Sequence, residues 1–242
     1  MVQTSTNMFK ENLNVIILAG GFGSRLKTLF PNIPKPLVPV QGKPFIFYIL
    51  EQLNNFCIKN VTISTGYLSS KIQETVGNNY KNLKIFYSHE KTPMGTGGAV
   101  KLVKFKKPKN FCLVLNGDSF VNFNLNKLFS EHRKKKSNIS IILNKVKKRS
   151  SFGSISLGSN KKIISFLEKK QSKEEGYVNA GVYLFNSSVI ESMESGKYFS
   201  LEIDFFPKQV GLGLNGFKCI EQFIDIGTPI SFHKANEYKF FD

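Results

Sequence analysis

The chain has few cysteines, few arginines and no long apolar run, and each scarcity closes off a class of protein. Cys57, Cys112 and Cys219 are odd in number, far apart and without metal-type spacing. They read as buried free thiols in a reducing compartment, not as a disulfide framework or a zinc site. A membrane-spanning helix needs roughly 20 apolar residues, and the longest clear apolar run, Phe45 to Leu50, is far shorter. The N-terminal MVQTSTNMFKENLN has no apolar segment of the signal-peptide kind. A soluble cytoplasmic protein with no membrane insertion is expected. Among 34 basic residues only Arg25, Arg133 and Arg149 are arginine, the residue favoured for base readout and phosphate forks. The net charge of +17 is therefore read as attraction for small phosphorylated anions, and nucleic acid is not expected as a partner.

What is present is enough to build a core. At 242 residues, 41% apolar and 13% aromatic, the chain fits one α/β domain with little room for a second. The polar first dozen residues read as a flexible arm. Val15 to Leu18 are four consecutive apolar residues, three of them β-branched, as in a strand buried on both faces of a parallel sheet. That strand stops at Gly20, Gly21 and Gly23. Glycines there permit positive φ and remove side-chain bulk, so backbone N–H groups can close around a triphosphate. The third glycine of the dinucleotide fingerprint is missing, as is any GxxxxGK(S/T) run. Arg25 and Lys35 follow. In a chain that otherwise uses lysine, the arginine points to a need for a planar, permanently charged fork.

The rest of the first half alternates strands with helices. Strands are expected at Val61 to Ser64, Leu83 to Tyr87 and Phe111 to Leu115. Helices are expected from Lys43-Pro44 to about Asn55, from Ser70 (with a Ser70–Gln73 capping box) to Val76, from Gly95 to Phe105, and from about Asn126 into the run Arg133–Lys136. That order implies a Rossmann-like, mostly parallel central sheet flanked by helices. The second half offers Ile139 to Val146, Gly153 to Leu157, Ile163 to Glu168 and Tyr177 to Phe185, with few intervening helices, so antiparallel additions are expected. Helices near Ser188 to Ser195 and Leu201 to Val210, a strand Phe217 to Ile224 and a helix capped by Thr228 and opened by Pro229 complete the reading.

Two carboxylates follow apolar strands. Asp118, in Asn116-Gly117-Asp118, lies at the carboxyl end of Phe111 to Leu115, where open α/β sheets bind ligands. Asp225, in Phe223-Ile224-Asp225-Ile226-Gly227-Thr228-Pro229, is the second. Hard oxygen ligands beside a phosphate partner favour Mg²⁺ over zinc. A second glycine-rich loop, Glu90 to Ala99, precedes a helix. His89, His132 and His233 form no ligand spacing and receive no role.

The stretch GGFGSRLKTLFPNIPKPLVPVQGKPFI resembles the signature of sugar-1-phosphate nucleotidyltransferases, roughly GGxG(S/T)RLxxxxxxxPKPxxPVxxKP. The resemblance continues through Glu90 to Ala99 (E-x-x-P-x-G-T-G-G-A), the Gly117-Asp118 pair, Asn179 in an NAG strand, and Asp225 in D(I/V)GTP, and so covers nearly the whole chain. The segment Lys27 to Ile33 lacks the proline and threonine of many members and looks like the branch making GDP-D-glycero-D-manno-heptose. The resemblance implies a glycosyltransferase-A-like fold and Mg²⁺-dependent transfer of a nucleotidyl group from an NTP, preferably GTP, to a sugar 1-phosphate, releasing pyrophosphate. The sugar preferred is D-glycero-α-D-manno-heptose, for surface polysaccharide, capsule or lipopolysaccharide synthesis. Mannose 1-phosphate with GTP, and glucose 1-phosphate with CTP or dTTP, stay open, as does a homodimer. A non-catalytic nucleotide-sugar sensor is the reading from another class, against which the intact Arg25, Lys35, Asp118 and Asp225 argue. Without hexapeptide repeats, the C-terminal acyltransferase activity of some relatives is not expected.

By the same resemblance, Leu18, Ala19, Gly20, Gly21, Gly23, Ser24, Arg25, Tyr67, Glu90, Gly95, Thr96 and Gly117 surround the nucleotide, with Tyr67 and Glu90 at the base. Gly97, Glu168, Lys169 and Asn179 meet the sugar phosphate, Lys169 standing in an EKK run where relatives have EKP. Asp118 and Asp225 share the metal, and Arg25, Lys35, Asp118 and Lys169 carry the catalytic roles.

Overall fold

A computed structural model of the chain describes residues 9–146, 154–159, 162–167, 175–221 and 223–241. In chain order the first half holds β1 (Leu13–Ala19), the hairpin β2 (Pro39–Val40) and β3 (Lys43–Pro44), α1 (Ile46–Asn55), β4 (Asn60–Thr65), α2 (Ser69–Val76), β5 (Asn79–Tyr80), β6 (Leu83–His89), α3 (Gly95–Leu102), β7 (Phe111–Asn116), β8 (Ser119–Val121) and α4 (Leu125–Lys134). The second half holds β9 (Ile139–Val146), β10 (Ser154–Leu157), β11 (Ile163–Leu167), β12 (Gly176–Asn186), α5 (Ser187–Glu191), a wide π turn Leu201–Phe205, α6 (Phe206–Gln209), β13 (Leu214–Cys219), β14 (Phe223–Asp225) and α7 (Pro229–Asn236).

β7, β1, β4 and β6 lie side by side and parallel, which makes the centre of the sheet. The second half adds strands by antiparallel pairing, β12 against β7 and β9 against β12, with β13 then parallel to β9. The mixed sheet, parallel in its centre and flanked by helices, is the expected architecture. β1 reads as a continuous apolar run because both its faces are covered. Val15 and Ile17 point into the cluster that holds Phe45, Ile49 and Leu53, while Ile16 points into the opposite cluster with Val100 and Tyr183. Full burial of such a side chain contributes about 1.5–3 kcal/mol relative to exposure, so this central strand anchors the corner that follows it.

Several local expectations are corrected. Phe9 is buried and stacks on Phe129 at a centroid distance of 3.4 Å, so this end of the supposed arm is packed; residues 1–8 lie outside the described residues. α1 starts at Ile46, because Lys43 and Pro44 are taken up by pairing with Val40 and Pro39. No side chain caps α2; Leu68 enters it in the left-handed region (φ 53°) and Ser70 is already helical. α3 ends at Leu102, where Val103 turns extended. Leu201 to Val210 is the π turn followed by the short α6. The strand expected over Phe217 to Ile224 is two strands in different sheets, β13 paired to β9 and β14 paired to β8. Cys57 sits exposed in a turn at φ 60°, whereas Cys112 and Cys219 are buried.

Candidate active site

The parallel centre brings four strand ends to one edge: Ala19 lies opposite Thr65, Leu18 opposite Asn116, and Thr65 opposite His89. The glycine corner grows from that edge. Gly23 takes φ 59° and lies against the Lys35 stem, and the tight turn Ser24–Leu26 follows, pinned by buried Leu26 so that Arg25 is held at the mouth. Gly117 N–H donates to the Leu18 carbonyl at 2.8 Å, and a Cβ on Gly117 would lie 2.7 Å from that oxygen. The turn Lys35–Leu37, entered through extended Pro34, buries Pro36 and Leu37 and projects Lys35 across the corner.

Lys35 Nζ donates to Asp118 Oδ2 at 2.5 Å. β14 pairs antiparallel with β8, which sets Asp225 opposite Ser119 and therefore beside Asp118; Ile226 N–H donates to the Asp118 carbonyl at 3.0 Å. Asp225 Oδ1 accepts from Gly227 N–H at 2.7 Å and Ser231 Oγ at 3.4 Å. Ser231 and Thr228 cap each other at the start of α7, as Thr228-Pro229 implied. Burial, then the neighbouring Asp118 charge, pushes the Asp225 carboxyl up, against the pull of Lys35, the Gly227 N–H and Arg25. These groups wall a cleft of about 230 Å³ lined by Leu18, Ala19, Gly21, Gly23, Ser24, Arg25, Lys35, Pro36, Asp118 and Gly227. Whole ligand pockets run roughly 300–1,000 Å³, so the cleft has the size of a site for one end of a larger molecule.

Asp118 lines this cleft with Asp225 beside it, and no group of three His, Cys, Asp or Glu side chains with metal-site geometry occurs among the described residues. Such a donor set fits a hard cation that completes its shell from phosphate and water, and does not fit zinc.

The second loop is built differently. Glu90 N–H is tied to the Thr65 carbonyl at 2.8 Å, and its Oε2 accepts from Met94 N–H at 2.9 Å while Oε1 faces Gly20. Burial holds this carboxyl above its usual range. Tyr67 N–H donates to the Gly20 carbonyl at 3.3 Å; its ring lies 5.3 Å from that of Phe22, with Lys27 Nζ 4.9 Å from the Tyr67 ring. Tyr67 and Glu90 thus flank the corner. Gly95, Thr96 and Gly97 do not line the cleft: Gly95 packs on the Phe199 carbonyl, Gly97 N–H donates to that carbonyl at 3.0 Å, and Thr96 Oγ1 donates to Glu202 at 2.6 Å. Asn179 turns its amide inward, Oδ1 accepting from Gly181 N–H and Nδ2 donating to Tyr183 Oη at 2.8 Å. Glu168 and Lys169 lie outside the described residues.

Sequence reasoning passed over Pro36 and Gly227, which line the cleft, and Glu202, which accepts from Thr96 of the second loop. The first two sat inside quoted motifs, PKP and DIGTP, and were legible there. Glu202 carries no local signal between Leu201 and Ile203.

The chain matches the nucleotidyl transferase family over residues 14–239. It is 35% identical over 226 residues to the D-glycero-alpha-D-manno-heptose 1-phosphate guanylyltransferase of Aneurinibacillus thermoaerophilus, covering 93% of this chain and 97% of that protein. The protein of the same description from Campylobacter jejuni is 35% identical, covering 91% and 97%. The crystal structure of HddC from Yersinia pseudotuberculosis complexed with GMP-PN superposes with a TM-score of 0.82 at 32% identity, over 93% of this chain and 98% of that one. No helix among the described residues is long and apolar enough to cross a membrane. With its glycine corner, its basic pair and Asp118 at one cleft, and Asp225 beside Asp118, the chain belongs to the nucleotidyl transferase family.

Proposed function

We propose that the protein transfers GMP from GTP to D-glycero-α-D-manno-heptose 1-phosphate, giving the GDP-heptose and pyrophosphate. The observation that carries this reading is the convergence of Arg25, Lys35 and Asp118 on one glycine-walled cleft, with Asp225 beside Asp118, in a chain that spans nearly the full length of two relatives described by that activity. Glu90, with one carboxylate oxygen engaged by Met94, has the other available to accept from the donor edge of guanine.

Joining two polyanions requires alignment and charge neutralisation more than covalent chemistry. The glycine corner binds the triphosphate through backbone N–H groups. An oxygen of the sugar phosphate attacks the α-phosphorus in line, and the bond to the α–β bridging oxygen breaks, its electron pair leaving with pyrophosphate. Arg25 stabilises the charge that grows on the departing pyrophosphate. Lys35 balances Asp118 and presents positive charge to the incoming phosphates. Asp118 and Asp225 are the residues that would hold Mg²⁺, which would supply positive charge to the reacting phosphate. Lys169 and Glu168, from their motif alone, are assigned to the sugar phosphate and its hydroxyls, and Asn179 to the sugar. The chain works as one domain in this reading.

The test is pyrophosphate release with Mg²⁺ over a grid of the common NTPs and several sugar 1-phosphates, the manno-heptose, mannose and glucose compounds included. GTP with the manno-heptose 1-phosphate should give the highest kcat/KM. Turnover with another pair alone would move the substrates, and silence throughout would sink the catalytic reading.

A further inference from the structure

From Asn179 on β12 to the second loop runs a line of hydrogen bonds whose middle members the reaction above does not use. Tyr183 is fully buried in β12, with apolar Val114 and Ile141 as its register partners on the two sides. Its phenol oxygen accepts from Asn179 Nδ2 at 2.8 Å and donates to Glu202 Oε1 at 3.0 Å. The Asn116 side chain lies beside it. Glu202 Oε2 then accepts from Thr96 Oγ1 at 2.6 Å and Ser200 Oγ at 2.8 Å, and Thr96 Oγ1 accepts from Leu201 N–H at 2.8 Å. Backbone bonds extend the line: Phe199 N–H donates to the Met94 carbonyl at 3.0 Å, and Met94 N–H donates to Glu90 at 2.9 Å.

A carboxylate and a phenol among packed aromatic rings cost desolvation that an apolar filling would avoid, and Phe206 and Phe185 show that this region packs well with phenylalanine. What the polar groups add is directionality, since hydrogen bonds constrain the arrangement of the groups they join. Here the members come from three places far apart in sequence, and the two ends of the line are Asn179 and Glu90. Asn179 is also held by the bulge at Gly181, where a Cβ would meet Ser119 Oγ at 2.5 Å.

We propose that Tyr183 and Glu202 are positioning residues that couple the sugar side of the site to the nucleotide side, so that occupation of one sets the geometry of the other. The inference rests on the assignment of Asn179 and Glu90 to the two substrates. Coupling between sites is reciprocal and typically about 5- to 150-fold in affinity.

The experiment is calorimetry of the whole protein with Mg²⁺, using manno-heptose 1-phosphate and a GTP analogue whose α–β bridging oxygen is replaced by methylene. Each ligand is titrated alone and then in the presence of the other. The native chain should bind the sugar phosphate at least about fivefold more tightly once the analogue is bound. Tyr183→Phe keeps the ring and removes the bridging oxygen; Glu202→Gln replaces one accepting oxygen by a donor. Both should cut the coupling factor to within twofold of unity while each ligand alone binds within about threefold of native, and in turnover kcat should fall more than KM for GTP rises. Absence of coupling in the native chain, or coupling that survives in both variants, overturns the proposal. So does equal loss of both separate affinities with a lowered melting temperature, which marks a purely structural role. Pyrophosphate release by the native chain separates the two readings: if it turns over, failure of coupling sinks only this inference, and if it is silent the assignment beneath falls as well.

Discussion

The two glycine-rich loops look alike in sequence, yet Gly21 of the first and Gly95 of the second stand in opposite surroundings. Around Gly21 there is no atom within 4 Å of where a Cβ would stand, so that position faces open space at the cleft. Gly95, by contrast, sits at φ 70° with its missing Cβ directed into the Phe199 carbonyl, and Gly98 is crowded by the Lys197 carbonyl and Met94. Elsewhere in the first loop the protein itself comes close, Gly20 facing Glu90 and Gly23 lying at φ 59° against Lys35, so Gly21 is where that loop stays open. The second loop is glycine-rich so that the segment 197–202 can lie on it. A glycine run therefore reports close approach, and only the neighbours say whether the thing approaching is substrate or the protein itself.

The sharpest way to break this contrast begins at the first loop. Arg25→Ala should lower kcat by roughly 10²- to 10³-fold, the cost of one preorganised transition-state contact, with the melting temperature unchanged, because the side chain faces the cleft while Leu26 does the packing. Steady-state kinetics beside thermal unfolding checks both halves, and a normal kcat would remove Arg25 from the mechanism. The glycines come next. Gly95→Ala should destabilise the fold by about 1–3 kcal/mol from strained backbone alone, more if Phe199 cannot shift, and lower Tm by several degrees. Gly21→Ala should leave Tm as it is and weaken only GTP binding. If the two substitutions moved the same quantity, the contrast drawn above would be wrong.

The smallest effect expected is in pH dependence. Burial raises the Glu90 carboxyl pKa, and the carboxylate form is the one that accepts from guanine. GTP affinity should therefore fall as pH drops through that raised pKa, at a higher pH than an exposed glutamate would give. Stability has the opposite sign: a folded-state pKa above the unfolded value means that protonation favours the folded chain, so this site's contribution improves as pH falls. Glu90→Gln should flatten the affinity profile, read by nucleotide titration at several pH values; an unaltered profile would show that another group controls it.

Much of this was legible because it is local. Val15 to Leu18 read as a doubly buried strand, and β1 is one. The glycine corner, Arg25, Lys35 and Asp118 each follow directly from such a strand or motif, and the cleft gathers them. The N-terminal arm misled because polarity hid one phenylalanine: Phe9 has its pocket in Phe111 and Phe129, about a hundred residues away. The Ser70–Gln73 pattern had the spacing of a cap without the backbone, since Leu68 enters the helix left-handed. The apolar run from Phe217 to Ile224 looked continuous, yet the chain changes sheets within it, and that change is what brings Asp225 to Asp118.

By itself the sequence determined the elements whose cause is short-range: the apolar central strands, the glycine turns that end them, the Thr228 cap of the last helix, and the chemical types present at each motif. The tertiary structure decided which of those types meet. Tyr183 and Glu202 are 19 residues apart, and Glu202 reaches Thr96 across 106; neither side chain carries a periodic or spacing signal, because a hydrogen bond constrains distance in space and leaves distance along the chain free. The same holds for the ladder of β8 with β14, whose pairing, and not any local preference of Asp225, sets the two carboxylates side by side.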